Sequence, residues 1–250
     1  MAAVKSSIGP AREVGDALIE RVRTSDWLRA ERDLDEFGYA IIARLLNVRE
    51  CRSLAALYAD ARLFRSTVVM ERHRFGVGEY RYFARPLPRL VEALRRELYA
   101  HVAPMANRWA GALGEDRRYP PSLNPLLDIC RKSGQLRPTP LLLRYESGGY
   151  NCLHQDLYGE ISFPLQFTFM LSDPRREFDG GEFLLVEQRP RAQSRGDAIA
   201  LGQGDAIVFP NRYRPVRGAR GCHRVNVRHG VSRVRRGTRT TLGIIFHDAK

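Results

Sequence analysis

Apolar positions recur at helical spacing through the first half of the chain and at strand spacing through the second. Val14, Leu18, Val22 and Leu28 predict one helix over residues 11–34, charged on its other face. FGYAIIARLL (37–46) predicts a short strand. NVRECRSLAALYADARLF (47–64) follows as a helix, with Asn47 as N-cap and Leu54, Leu57 and Ala61 on one face. VVMERHRFGVGEYRYFARPLP (68–88) is strand-like, broken by glycines and then proline. Residues 88–113 predict a long amphipathic helix or a broken pair, and residues 114–139 a loop with one short helix.

From residue 140 the period changes. LLLRY, FPLQFTFML, GEFLLVE, DAIALGQGDAIVF, HRVNVRHGV and TRTTLGIIF are short β-like runs separated by SGG, DGG, QGD and RRG. Repeated short strands with glycine turns predict a sandwich or barrel. The expected fold class is therefore α+β, mainly β. It comprises a single domain over 1–250, with helical support and the first strands over 1–139 and a β core over 140–248.

Charge adds a possible partner. The formal net charge is +13, and lysine occurs only at Lys5, Lys132 and Lys250, so arginine carries nearly all of the excess. Such an excess attracts polyanions or acidic substrates; an arginine bias also arises from a GC-rich genome, so charge alone does not choose. No apolar run approaches the ~20 residues of a membrane span. The start, MAAVKSSIGPAREVGD, lacks the apolar core and cleavage site of a signal peptide, so a cytoplasmic location is expected. Cys51, Cys130, Cys152 and Cys222 form no CxxC pair and are read as reduced and mostly structural.

Chemistry concentrates in NCLHQDLYGE (151–160). On a strand, alternate residues share a face, so His154 and Asp156 can aim an imidazole and a carboxylate at one point. A non-haem Fe(II) site needs two histidines and one carboxylate on one triangular face. The distal histidine must come from His73, His101, His223, His229 or His247. His73 and His101 lie in the helical half without a partner at useful spacing, and His247 reads as packed on the last strand. His223 and His229 each precede an arginine by ten residues, Arg233 and Arg239. Arg239 opens a strand-like run with Thr241 on the same face, whereas Arg233 sits in a basic turn, so His229 is favoured and His223 is read as structural.

These residues resemble the iron(II)/2-oxoglutarate-dependent oxygenase superfamily: H-x-D, a distal histidine, then arginine about ten residues on. RYESGGYNCLHQD, FTFMLSD with DGGEFLL, and QGDAIVF resemble its prolyl-hydroxylase-like branch, in order, over residues 140–248. FRSTVVMERHRFGVGEYRYF, EQRPRAQSR and RHGVSRVRRGTRTTLGIIFHDA extend the likeness to a bacterial family predicted to oxidise damaged or alkylated nucleic acid. The resemblance implies a double-stranded β-helix, or jelly roll, with supporting N-terminal helices. It implies Fe(II) held by His154, Asp156 and His229, with 2-oxoglutarate and O2 as cosubstrates. Arg239 and Thr241 would hold the far carboxylate of 2-oxoglutarate, and Tyr145 would contact it as well. Related halogenases lack the carboxylate ligand, so a retained Asp156 implies hydroxylation, or demethylation through hydroxylation. Prolyl hydroxylases carry a tyrosine near the end of the strand that here reads QFTFML; Met170 stands there, and Gln166 and Thr168 are the candidates to replace it.

Tyr80, Arg81 and Tyr82 alternate ring and charge and are candidates to stack on and clamp a substrate base. The arginine-rich stretch 212–236 is a candidate phosphate-binding rim, and EQRPRAQSR (187–195) a candidate pocket mouth. Asp197 and Asp205 read as turn residues. Three functions compete: oxidation of nucleic acid, hydroxylation of a small carboxylate-bearing metabolite or amino acid, and nucleic-acid binding without turnover.

Overall fold

The strand-period runs of the second half pair as antiparallel strands, and the helical first half covers one face of them. The computed structural model describes residues 10–156, 158–189, 192–219 and 221–250. The first half contains α1 (Pro10–Thr24), α2 (Trp27–Phe37), β1 (Ala40–Ile42), α3 (Val48–Ala56), β2 (Phe64–Val69), β3 (Gly76–Val77), β4 (Glu79–Phe83), α4 (Arg89–Ala112) and α5 (Leu123–Lys132). The second contains β5 (Leu141–Tyr145), β6 (Tyr150–His154), β7 (Leu165–Met170), β8 (Phe178–Gly180), β9 (Phe183–Gln188) and β10 (Arg195–Ile199). It ends with β11 (Ala206–Pro210), β12 (Tyr213–Gly218), β13 (Gly221–Val231), β14 (Val234–Gly237) and β15 (Arg239–Ile245). A seven-stranded sheet runs β1-β11-β7-β15-β5-β4-β2. A second sheet runs β10-β9-β13-β6-β3, with β12 also paired to β13, and β14 pairs with β8. Every pairing between these strands is antiparallel, as in a jelly roll.

The helix expected over 11–34 is two helices. Thr24 and Ser25 turn their hydroxyls back onto the carbonyls of Glu20 and Arg21. The Asp26 carboxylate then accepts from the Arg29 N–H at 2.9 Å and starts a second helix. Short polar side chains that bond locally end one helix and cap the next. The expected Val14 contact lies outside the described side chains. Asn47 caps α3 in a full capping box with Glu50, but α3 ends at Ala56, and tight 3-10 turns take the chain to Leu63. Residues 89–112 form one continuous helix rather than a broken pair, with Pro104 on its exposed side. No helix of the described residues is long and apolar enough to cross a membrane.

β15 is buried on both faces, and its alternation serves two layers. Leu242 and Ile244 face the helices, in a core with Leu98, Tyr99, Val102, Phe163, Phe167 and Phe246. Arg239, Thr241, Gly243 and Ile245 face the space between the sheets and line a cavity there. Met70, Tyr145, Met170, Leu185 and Phe209 pack in that inner layer.

A buried ionic cluster fastens the end of β15 to α4. Arg95 donates to the carbonyls of Ile245 and Phe246 at 2.9 and 2.8 Å and to Asp248 at 2.8 Å. Arg95 and Asp248 are each 1% exposed. Removing one partner strands a desolvated charge. Asp248→Ala should therefore destabilise the fold by about 3–5 kcal/mol in urea unfolding; an unchanged midpoint would contradict this reading of the cluster.

Candidate metal centre and its pocket

His154 ends β6, His229 lies near the end of β13, and the two are direct cross-strand partners. Their ring centroids are 4.2 Å apart. Beside them β13 bulges between His229 and Val231. Gly230 allows the close approach there, since a Cβ at this position would stand 2.7 Å from the Asn151 carbonyl oxygen. Asp156 is not on the strand, as its spacing suggested. β6 ends at His154, and the carboxylate reaches back from the segment that follows.

One ligand atom from each of His154, Asp156 and His229 lies within 4.8 Å of the others. The Nδ1 of His154 lies 2.8 Å from the Cys152 carbonyl oxygen, so that nitrogen carries the proton and donates it. This leaves Nε2 towards Asp156, at 3.6 Å. The Nε2 of His229 is 3.1 Å from Asp156 Oδ2. Both carboxylate oxygens are also held from behind: Tyr158 Oη donates to Oδ1 and Gln166 Nε2 to Oδ2, each at 2.7 Å. Burial opposes ionisation of Asp156, but the facing His229, His154 and the Tyr158 hydroxyl outweigh it and hold the carboxyl well below the usual range. Burial and the neighbouring His154 push the His229 pKa down. Both shifts run in the direction that favours divalent metal binding, towards an ionised carboxylate and a neutral imidazole.

The triad opens into a cavity of about 380 Å³ between the sheets, walled by Tyr80, Tyr82, Leu141, Leu143, Tyr145, Thr168, Arg239 and Thr241, among others. Arg239 pairs across strands with Tyr145, its guanidinium 5.7 Å from that ring. It is 1% exposed, and its Nε and Nη2 have no hydrogen-bond partner among the described residues. Burial pushes its pKa down to about 10. A desolvated cation without an ion-pair partner is costly, and Arg239 forms none among the described residues, so this group fits a site built for an anion. The DGG turn makes room for it: Gly181 has φ +64°, and a Cβ there would stand 2.8 Å from Arg239 Cδ.

The cavity gathers Tyr80, Tyr82, Tyr145, Thr168, Arg239 and Thr241 with the triad. Gln166 points its amide at Asp156. Arg81 is not with Tyr80 and Tyr82. Strand alternation turns it to the opposite face of β4, where it bonds Glu79 and lies over the Tyr58 ring at 4.3 Å. EQRPRAQSR contributes no described residue to the cavity wall; Glu187 is instead buried in an ion pair with Arg214. The arginine-rich stretch is partly committed to surface ion pairs within the chain, with Arg224 on Glu115 and Arg235 near Asp179 and Glu182. The His223 side chain is exposed and makes no hydrogen bond among the described residues, so it is not the structural histidine expected. His247 is fully buried, and its Nδ1 accepts from the Phe163 N–H at 3.1 Å. Cys51 and Cys130 are buried, but Cys152 and Cys222 are exposed and do not pack in the core. Tyr158, Arg74, Phe75 and Leu153 escaped the sequence reading. Tyr158 stands two residues beyond Asp156, a spacing that could have flagged it, whereas the others join the site only through folding.

A family model described as "Oxygenase, catalysing oxidative methylation of damaged DNA" matches residues 78–249. Two proteins of Mycobacterium tuberculosis, the uncharacterized proteins MT2286 (strain CDC 1551 / Oshkosh) and Rv2227 (strain H37Rv), are each 49% identical over 181 residues, or 70% of this chain and 78% of theirs. In solved structures the fold is shared with a 2OG-Fe(II) oxygenase family oxidoreductase of Burkholderia pseudomallei, at TM-score 0.55 and 17% identity over 91% of this chain and 96% of that one. It is shared too with a Pseudomonas putida prolyl-4-hydroxylase, at TM-score 0.53 and 16% identity over 88% and 98% of the two chains. The family match spans more than half of the sequence and takes in all three triad residues, Arg239 and Thr241, and on that basis the chain belongs to the Oxygenase-NA family of oxygenases.

Proposed function

We propose that this chain is an Fe(II)- and 2-oxoglutarate-dependent dioxygenase that hydroxylates an alkyl group on damaged nucleic acid. One observation carries the assignment of the site: a buried guanidinium with two unpartnered nitrogens and no ion pair among the described residues shares a cavity with a two-histidine, one-carboxylate cluster. That donor set suits non-haem Fe(II) with open coordination positions, and the guanidinium suits the far carboxylate of 2-oxoglutarate. The nucleic-acid substrate is supported by the family's description, the net charge of +13 and the aromatic wall of Tyr80 and Tyr82. We place the protein in the cytoplasm, where this substrate is at hand and exposed Cys152 and Cys222 stay reduced.

His154, Asp156 and His229 would hold the metal. When bound, it would couple oxidative decarboxylation of 2-oxoglutarate to oxidation of a substrate C–H bond. The residues of the chain orient and shield that chemistry. Tyr158 and Gln166 fix the Asp156 carboxylate by occupying one lone pair on each oxygen. Arg239 and Thr241 bind the cosubstrate carboxylate, beside Tyr145. Thr168 would complete the cavity wall, and Tyr80 and Tyr82 would pack against the substrate ring. In balance, substrate, 2-oxoglutarate and O2 give hydroxylated substrate, succinate and CO2. Where the oxidised carbon is an N-methyl group, the hydroxymethyl product splits at its C–N bond. Its hydroxyl proton passes to the nitrogen, and formaldehyde leaves.

Succinate release by anaerobically purified, Fe(II)-loaded protein should depend on iron, stop with EDTA and return with added Fe(II). His229→Ala should reduce it to background. Stimulation by methylated single-stranded DNA supports nucleic acid as substrate; stimulation by an amino-acid pool alone would instead select the small-metabolite reading. No succinate from iron-bearing wild type would overturn the enzymatic assignment.

Arg239→Ala should raise KM for 2-oxoglutarate roughly 100-fold, the value of two charge-assisted hydrogen bonds. Gly181→Ala should raise it about tenfold by pushing on Arg239 Cδ. Steady-state kinetics in 2-oxoglutarate checks both, and unchanged KM values would remove Arg239 from the cosubstrate site.

A further inference from the structure

Two large apolar side chains of the cavity wall are exposed to solvent, Phe75 at 47% and Leu153 at 42%. Exposed apolar surface lining a pocket is available for contact with something outside the chain. The tight turn Met70–His73 and Arg74, in a left-handed conformation at φ +59°, set Phe75 in place. The Phe75 carbonyl then accepts from the Cys152 N–H at 2.8 Å, which ties the turn to the strand carrying His154. The His73 ring stacks on Phe75 with centroids 5.3 Å apart. Arg74 lines the same cavity, and Arg72 is exposed on the same turn; neither pairs with a carboxylate among the described residues. Glu71, the turn's acidic residue, lines a separate cavity with Tyr58 and Arg81. Along the same edge, where β3 pairs Val77 with Tyr150, exposed Arg233 lies 4.8 Å over the Tyr150 ring.

Resting on the nucleic-acid reading above, we propose that this edge is a docking strip for a single strand of nucleic acid. Phe75, backed by His73, stacks on the base next to the one inside the cavity. Leu153, on the adjoining strand, adds apolar surface to the same mouth. Arg74 contacts the intervening phosphate, and Arg233 a phosphate farther along. A stacked ring next to guanidinium groups without a carboxylate partner among the described residues, one of them (Arg233) anchored on the Gly148 carbonyl, suits alternating bases and phosphates, whereas a small carboxylate needs no exposed ring. A paired base lies inside its duplex and must be unstacked before it can enter a cavity. The strip therefore favours unpaired strands and sets specificity at the base beside the target.

The test is fluorescence anisotropy of wild type and variants with a labelled, methylated single-stranded oligonucleotide and with the blunt duplex containing it. Wild type should bind the single strand more tightly. Phe75→Ala should lose about tenfold in affinity, within the range of one base–aromatic stack, and Phe75→Trp should restore it. Arg74→Gln should flatten the log–log salt dependence by about 0.7, one phosphate contact on a single strand. Melting temperatures of the variants report whether they fold. Folded Phe75→Ala with wild-type affinity, or duplex bound as tightly as single strand, would overturn the proposal. Wild type that makes succinate but binds no oligonucleotide at low salt would overturn it too, while leaving the oxygenase assignment standing. Absence of succinate from wild type would count against the oxygenase assignment instead.

Discussion

The antiparallel pairing of β6 with β13 is the constraint on which the site rests. His154 and His229 face each other across that pair, so the positions of two ligands follow from the register of one ladder. A slip of one residue would turn one imidazole to the other face of the sheet. The bulge at His229–Val231 and the small Gly230 adjust the ladder locally. The third ligand is freed from the ladder and needs separate support, and hydrogen bonds from Tyr158 and Gln166 to Asp156 supply it.

A second constraint follows from burial. Arg239, Asp156 and His229 are all buried, and folding takes each out of water. Asp156 is compensated inside the chain, by two imidazoles and two hydrogen bonds. Arg239 is not: two of its nitrogens are without partners among the described residues. That uneven compensation separates a group the protein holds in place from one that awaits a ligand. Elsewhere the same chain fully satisfies a buried arginine, Arg95, with two carbonyls and Asp248. Two unpartnered nitrogens thus set the Arg239 guanidinium, which lines the cavity, apart from that of Arg95.

Much of this was legible in the sequence, for physical reasons. Strand alternation placed Arg239 and Thr241 on one face of β15, and Asn47 marked the start of α3. The H-x-D pair, His229 with Arg239 ten residues on, and the family resemblance they carry pointed to the three residues that the fold brings together. Alternation also ruled against Arg81 joining Tyr80 and Tyr82, and applying it to that triplet would have avoided the error. The break at Ser25–Asp26 was carried by short polar side chains that the apolar period does not register. Gln166 was legible as a residue of the site, but its aim at Asp156 was not, because it depends on packing between β7 and the segment after β6. The mouth formed by Arg74, Phe75 and Leu153 comes from pairing β3 with β6 across more than seventy residues, a long-range contact without a local signature.

The most direct measurement is visible absorption of anaerobic, Fe(II)-loaded protein during titration with 2-oxoglutarate. If the triad and Arg239 form one cosubstrate site, a charge-transfer band from keto-acid chelation should rise and saturate in wild type. It should be absent in His229→Ala and need roughly 100-fold more 2-oxoglutarate in Arg239→Ala. Iron-bearing wild type that develops no band, or Arg239→Ala that saturates with wild type, would contradict that assignment.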